Sequence, residues 1–320
     1  MSLRALSHSF FRFFGLKFEK TISSFGNKYA FYNLRKNEYQ IDGKIIFFKK
    51  LNLKIPIAAA APILERYQEA LNLKQKADFN FYWKNDAIII ASPKLEFKIN
   101  DEEELFILAE IFLEGSYNLL SATRKRIALI DVGMNVGITS LFYASKENVD
   151  YVFSFEPFLP TFTLAKQHIS LNEKYQAKIH ANNFGLAKND GELQIDYSPK
   201  TKGKMGFHGL PESSIYKSKA HSQQTIQLKN APNEFLKIKK TLFNYFVVCK
   251  IDCEGAEYEI IESLQEGDLL SFINVFFIEW HEIIPSELVS TLTLNNYNVI
   301  NTSFKLLNSG MIYAVKNEVS

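Results

Sequence analysis

Cysteine is almost missing from this chain. Only Cys249 and Cys253 occur, so there is no disulfide framework, and the expected compartment is a reducing one, the cytoplasm. Long apolar runs are missing too. No stretch of about 18 uncharged apolar residues is present, which excludes a spanning helix by the usual length argument. Charge of one sign is not in excess: 37 Lys and Arg stand against 35 Asp and Glu, a net charge of +2. That balance, with no RNA-reading or zinc-finger motif, argues against a nucleic-acid partner. Fixed-period repeats and low-complexity tracts are absent. Residues Met1–Lys20 lack the apolar run and small-residue cleavage site of a signal peptide. They place Arg4, Arg12, Lys17 and Lys20 among Phe10, Phe11, Phe13 and Phe14. A helix packed on its own domain or on a partner subunit of a homo-oligomer is preferred to an amphipathic membrane-surface helix.

What is present is material for a core. Hydrophobic residues make up 47% of the chain, with 28 Phe and 15 Tyr. The pattern divides the chain into an irregular part, 1–100, and a regular part, 101–320. In the first, Gln40–Lys50 predicts a hairpin turning at Asp42-Gly43, Ala58–Leu73 a helix, and Ala87–Ile90 and Leu95–Ile99 two strands, a small α+β extension. A capping box of Asn100 and Glu103 then predicts a helix carrying Leu105, Leu108, Ile111 and Phe112. Beyond it, strands are expected at Ile127–Val132, Tyr151–Phe155, Ala177–Asn182, Tyr245–Asp252 and Asn274–Trp280. Helices are expected at Ile138–Lys146, Pro160–Leu171, Glu254–Leu264 and near Pro285–Leu294. Shorter strands at Glu192–Tyr197 and Thr225–Leu228 flank a long loop, and Tyr297–Asn301 with Met311–Val315 form a closing hairpin. Alternation of this kind predicts an α/β fold, a mostly parallel sheet with helices on both faces.

Ligands of such sheets bind beyond the carboxyl ends of the strands. Four segments put polar residues there. In Asp131-Val132-Gly133-Met134-Asn135-Val136-Gly137, a strand passes into a helix through glycines that permit a tight turn and close backbone approach. A dinucleotide loop wants glycine at 133, 135 and 138; Asn135 and Ile138 break that pattern and disfavour a nicotinamide-dependent dehydrogenase. In Phe155-Glu156-Pro157, an acidic residue ends the second strand, where it can accept hydrogen bonds from ribose hydroxyls. In Lys250-Ile251-Asp252-Cys253-Glu254-Gly255-Ala256-Glu257, four ionisable groups crowd one strand end, more than helix capping requires. In Phe277-Ile278-Glu279-Trp280-His281-Glu282, Glu279 and His281 share a face of the strand, and the histidine can serve as a base.

Taken in this order, the four segments resemble the FkbM family of methyltransferases, with its D-x-G-x-N-x-G, F-E-P, K-I-D-x-E-G-A-E and I-E-x-H runs. Asn183-Phe184-Gly185-Leu186 looks like the family's turn after the third strand. The likeness runs through roughly residues 127–282, and the Lys250–Glu257 run is its most specific part. Residues 1–100 match nothing in the family, and Cys253 is a minor departure. The resemblance implies a class I, Rossmann-like methyltransferase of seven strands, S-adenosylmethionine as donor, and O-methylation of a hydroxyl. Acceptors in the family include sugars and polyketide-type natural products.

On that basis Gly133, Asn135 and Gly137 are expected to hold the donor's amino-acid end, with Asp131 shaping the turn, and Glu156 to bind its ribose. Asn183 and Phe184 are expected near the adenine, and Asp252 near the sulfonium. Removal of the hydroxyl proton needs a base, and His281, Glu254 and Asp252 are the candidates in descending order of chemical suitability. Asp252, Glu254 and Glu279 offer hard oxygens to Mg²⁺, but carboxylates at strand ends are common without metals, and a metal-free site is preferred. The loop Ser198–His221, rich in glycine and lysine, is expected to cover a small-molecule or glycan acceptor. The competing reading from another class is a non-catalytic glycan- or partner-binding module on a degenerate methyltransferase fold.

Overall fold

The computed structural model describes residues 37–117, 125–197, 222–281, 283–303 and 309–317. The expectations for Met1–Lys20, for the loop Ser198–His221 and for Glu282 lie outside them. Described residues fall into two compact units, one ending before and one beginning after residues 118–119. No described helix is long and apolar enough to cross a membrane.

The first unit carries two three-stranded antiparallel sheets, Tyr39–Asp42 with Ile45–Phe48 and Leu53–Pro56, and Asn80–Lys84 with Ala87–Ala91 and Glu96–Ile99. The Asp42-Gly43 hairpin forms as expected, with Gly43 at φ +57°. The capping box is real but sits one residue later: Asp101 accepts from the Glu103 amide, and Glu104 accepts from the Asp101 amide at 2.8 Å. Asn100 is therefore not the cap, and its own amide reaches Glu104 instead. The helix Glu102–Ala109 and the π turn Glu110–Glu114 after it belong to this first unit and do not open the second.

The second unit is built on seven strands: β1 (Ile127–Val132), β2 (Val149–Phe155), β3 (Ile179–Asn182), β4 (Phe246–Ile251), β5 (Val275–His281), β6 (Tyr297–Ser303) and β7 (Ser309–Lys316). Their order is 3-2-1-4-5-7-6, with β7 alone antiparallel to its neighbours. This is the expected seven-strand sheet, with helices on both faces. The longer helices are α1 (Ile138–Ala144), α2 (Leu159–Leu171), α3 (Ala231–Thr241), α4 (Glu257–Glu266) and α5 (Ser286–Leu294), with a single turn at Glu173–Gln176. Every residue of β1 is buried, as a central strand covered on both faces must be. Ile130, Val132, Cys249, Ile251, Phe276 and Ile278 pack against Phe235 of α3, Ile260 and Leu264 of α4, and Leu288 and Leu292 of α5. Strand order reverses between β1 and β4, the junction where such sheets bind ligands. A smaller sheet of Gly185–Ala187, Ser222–Asn230 and Gly191–Tyr197 completes the unit.

Candidate functional site

At the end of β1 the chain turns sharply. Gly133 has φ +80°, and a Cβ there would stand 1.7 Å from the Asp252 carbonyl oxygen, so only glycine fits. Gly137 also has φ +80°, and Asn135 takes the left-handed region at φ +52°. The turn is tied to β2 through its amides. Gly133 and Met134 both donate to the Phe155 carbonyl, at 3.0 and 2.9 Å. The Asn135 amide donates to Glu156 Oε2 at 3.0 Å. Asn135 Oδ1 is buried with no hydrogen-bond partner among the described residues.

Glu156 is buried. Its other oxygen, Oε1, accepts from the Phe158 amide at 2.9 Å. Burial pushes its carboxyl up to about 7, against the pull of the Phe158 and Asn135 amides and of Lys250. Asn183 supports the neighbouring turn. Its Nδ2 donates to the Glu156 and Pro157 carbonyls at 2.9 and 3.2 Å, fixing the Phe155-Glu156-Pro157 turn. Phe184 packs on Phe155 with ring centroids 5.5 Å apart. A small, open apolar cleft lies beyond β1 and β2. It is lined by Val132, Gly133, Phe155 and Pro157, by Gly185 and Leu186, by Ile195, Ile226 and Leu228 of the small sheet, and by Cys253. Of the segment 183–186, Gly185 and Leu186 line this cleft.

Asp131 is fully buried and faces no open space. Ser140 donates to its Oδ2 at 2.6 Å, and Lys250 Nζ lies 3.4 Å from Oδ1. Burial pushes this carboxyl up, while Lys250 and Ser140 oppose the shift. Lys250 is the register partner of Asp131 across the β1–β4 pair. Its ammonium donates to the Gly133 carbonyl at 2.6 Å and pairs with Asp252 Oδ2 at 3.3 Å. Burial alone would lower the lysine's pKa, but Asp252 and Asp131 outweigh it and hold the group above its ordinary range, hence charged. The sequence placed Lys250 and Asp252 on one face of the strand. That Lys250 reaches back across β1 to the glycine turn was not legible there, because it depends on register.

Past β4, residues 252–256 form a loop in which Glu254 has φ +53° and Gly255 φ +114°. The first residue of α4, Glu257, is fully buried and folds this loop. Its Oε2 accepts from the Gly255 amide at 2.8 Å and its Oε1 from the Cys253 amide at 3.2 Å. Glu257 Oε1 also lies 3.1 Å from Nδ1 of His281, while Nε2 of the same ring lies 3.5 Å from Glu254 and 3.7 Å from Glu279. Both ring nitrogens thus face carboxylates, and a ring that satisfies both donates from both. Burial opposes the charge, but Glu257 and Glu279, with Glu254 and Asp252, push the imidazole up to about 11. A ring held as an imidazolium has no free lone pair, so its use as the base requires that it first lose that proton. Glu254 is pushed up to about 8, mainly by burial and then by Asp252, Glu279 and Glu257, against His281. Asp252, Glu279 and His281 offer atoms within 4.8 Å of one another, the spacing of a metal site. A cation bound there would have to displace the ring proton of His281, so its binding would release protons and depend on pH.

The family model described as the methyltransferase FkbM domain matches residues 131–299. Methyltransferase 1 of Beauveria bassiana is 22% identical over 191 residues, covering 57% of this chain and 74% of that protein. Methyltransferase sdnD of Sordaria araneosa is 22% identical over 216 residues, covering 61% of this chain and 83% of that one. Among solved structures, a methyltransferase FkbM from Methylobacillus flagellatus aligns at 12% identity and a TM-score of 0.41. It covers 81% of this chain, which spans 61% of that protein's length.

Proposed function

The chain belongs to the FkbM family of methyltransferases, and from that premise we propose that it is an S-adenosylmethionine-dependent O-methyltransferase acting on a hydroxyl of a small molecule or glycan. The observation that carries the reading is the turn at Gly133, forced open at the β1–β4 junction where a Cβ would meet the Asp252 carbonyl at 1.7 Å. The residues around it suit the donor. The buried, unpartnered Asn135 Oδ1 is an acceptor for an amino-acid ammonium group. Glu156 spends one bond per oxygen on backbone amides; a carboxylate has about four lone-pair sites, which leaves capacity for ribose hydroxyls. Phe155, Leu186 and Ile226 offer an apolar surface for one face of a purine beside the turn. Gly137 completes the turn, Asn183 and Phe184 support the cleft from behind, and Asp131 acts from within through Lys250 and Ser140.

When bound, the donor supplies an electrophilic methyl group on a sulfonium. The protein's own task is then to hold an acceptor hydroxyl and remove its proton. Glu254 is the preferred base, because a group that titrates near 8 is matched to work near neutral pH. His281 and Glu257 orient it, and Asp252 supplies negative charge beside the cationic centre. No metal enters this scheme: turnover in a chelator is expected to be unchanged, and loss restored by Mg²⁺ would reverse that assignment.

The test of the donor assignment is calorimetry with S-adenosylhomocysteine. Glu156→Ala should weaken binding by about tenfold or more, the scale of losing hydrogen bonds to a charged group. Unchanged affinity would rule out the ribose role. A wild-type chain that neither binds the donor nor transfers radiolabel to any of a panel of sugars and hydroxylated polyketides would overturn the whole reading.

A further inference from the structure

Lys250 is a buried cation that touches no open space, yet it ends on the one turn the donor reading needs. It is 3% exposed. Its charge is already balanced by Asp131 at 3.4 Å and Asp252 at 3.3 Å, so it is not presented to a ligand as a positive group. Its shortest contact is to a neutral atom, the Gly133 carbonyl at 2.6 Å. The turn is held on its other side by backbone bonds to Phe155 and by Glu156. On the β4 side, Gly133 rests against the Asp252 carbonyl with no room for a Cβ. Lys250 is the side chain that fastens the turn there, and the same ammonium holds Oδ2 of Asp252.

We infer that Lys250 is a positioning residue that locks the Gly133 turn and the Asp252 carboxylate into one rigid donor-binding edge. The inference rests on the donor reading above and assigns a residue to it that motif spacing did not. A buried pair of this kind has a bland alternative, since it can serve stability alone. The two roles separate when the whole pair is removed. Breaking a buried ion pair on one side strands a charge and destabilises the fold, whereas removing both charges largely relieves that cost.

The experiment compares Lys250→Met, Asp131→Asn and the double variant Asp131→Asn/Lys250→Met, by thermal melting and by calorimetry with S-adenosylhomocysteine. Lys250→Met should melt lowest, and the double variant should recover. If Lys250 positions the turn, the recovered double variant still binds about tenfold more weakly than Asp131→Asn, the loss expected for one hydrogen bond from a charged donor. Lys250→Arg, which keeps a buried N–H donor and the charge, should bind more tightly than Lys250→Met and keeps the comparison open if the double variant fails to fold. Affinity that returns together with the melting temperature, or equal affinity in the Arg and Met variants, would overturn the inference and leave the donor reading standing. Failure of the wild-type chain to bind at all would sink both.

Discussion

At Glu254 opposing influences meet on one carboxyl. Burial and the neighbouring Asp252, Glu279 and Glu257 push it up to about 8, and His281 pulls it down. The expected consequence is a methyl-transfer rate that rises as pH passes through about 8, where the carboxylate forms. Glu254→Gln should remove that limb and lower the rate by about a hundredfold or more, the lower end of what general bases contribute. His281→Asn tests the imidazolium. Without the cation at 3.5 Å, the Glu254 carboxyl moves further up, so the limb should shift to higher pH and survive. A limb that disappears in His281→Asn and persists in Glu254→Gln would return the base role to the histidine. The sequence listed His281, Glu254 and Asp252 and ranked them by free-solution chemistry. Which carboxylates face the ring, a matter of three separate elements, is what that ranking could not take into account.

Among the elements, strands were the most legible. β1 begins and ends where its apolar run does, and β2–β7 differ from expectation by a residue or two at their ends, the ordinary uncertainty of termini; the strands Leu53–Pro56, Asn80–Lys84 and Gly185–Ala187 were not expected. Two α-helices of the second unit were not expected, the single turn Glu173–Gln176 and α3, Ala231–Thr241. The latter begins with Asn230 accepting from the Asn233 amide and carries a proline in its first turn. Those are clear start signals, but lysine-rich residues mask the apolar stripe of Ala231, Phe235 and Ile238. The structure shows the stripe buried against the sheet, with Phe235 fully enclosed. Phe235→Ala should therefore cost about 3–5 kcal/mol of stability, measured by chemical denaturation; a loss below 1 kcal/mol would mean the stripe does not anchor the helix. The start of α4 also moved, from Glu254 to Glu257, because Glu257 spends its carboxylate on the amides of the preceding loop and holds residues 252–256 out of the helix. Helical periodicity cannot register such a contact.

For the whole molecule, the buried ionisable groups at the sheet's carboxyl edge share one sign of linkage. Glu156 and Glu254 rise from 4.5 to about 7 and about 8, and His281 from 6.5 to about 11. A folded-state value above the unfolded one means that the native state holds protons the unfolded chain has lost. Its stabilising contribution is complete below the unfolded value and disappears as pH rises through the folded one. Stability should thus fall from about pH 5 through pH 8 as the two carboxyls ionise, and His281 adds a further decline that runs from about pH 6.5 to about pH 11. Melting temperature against pH checks this, and Glu254→Gln should flatten the first decline. A melting temperature that climbs between pH 5 and 8 would show that these groups are solvated in the folded chain. The division into two units was only partly legible, since the helix at 102–109 follows a strong cap signal but packs with the residues before it.

The sequence by itself determined the fold class, the turn at Gly133–Gly137, the acidic end of β2 and the family. All of these are local: glycine at forced φ, apolar runs of strand length, and motifs contiguous in the chain. Tertiary structure alone decided who touches whom across the β1–β4 junction. Register set Lys250 opposite Asp131 and let its ammonium reach the Gly133 carbonyl. The meeting of α4 with β5 surrounded His281 with carboxylates and made it a held cation. Protonation state follows from the sum of neighbours brought in from distant segments, and no spacing along the chain contains that sum.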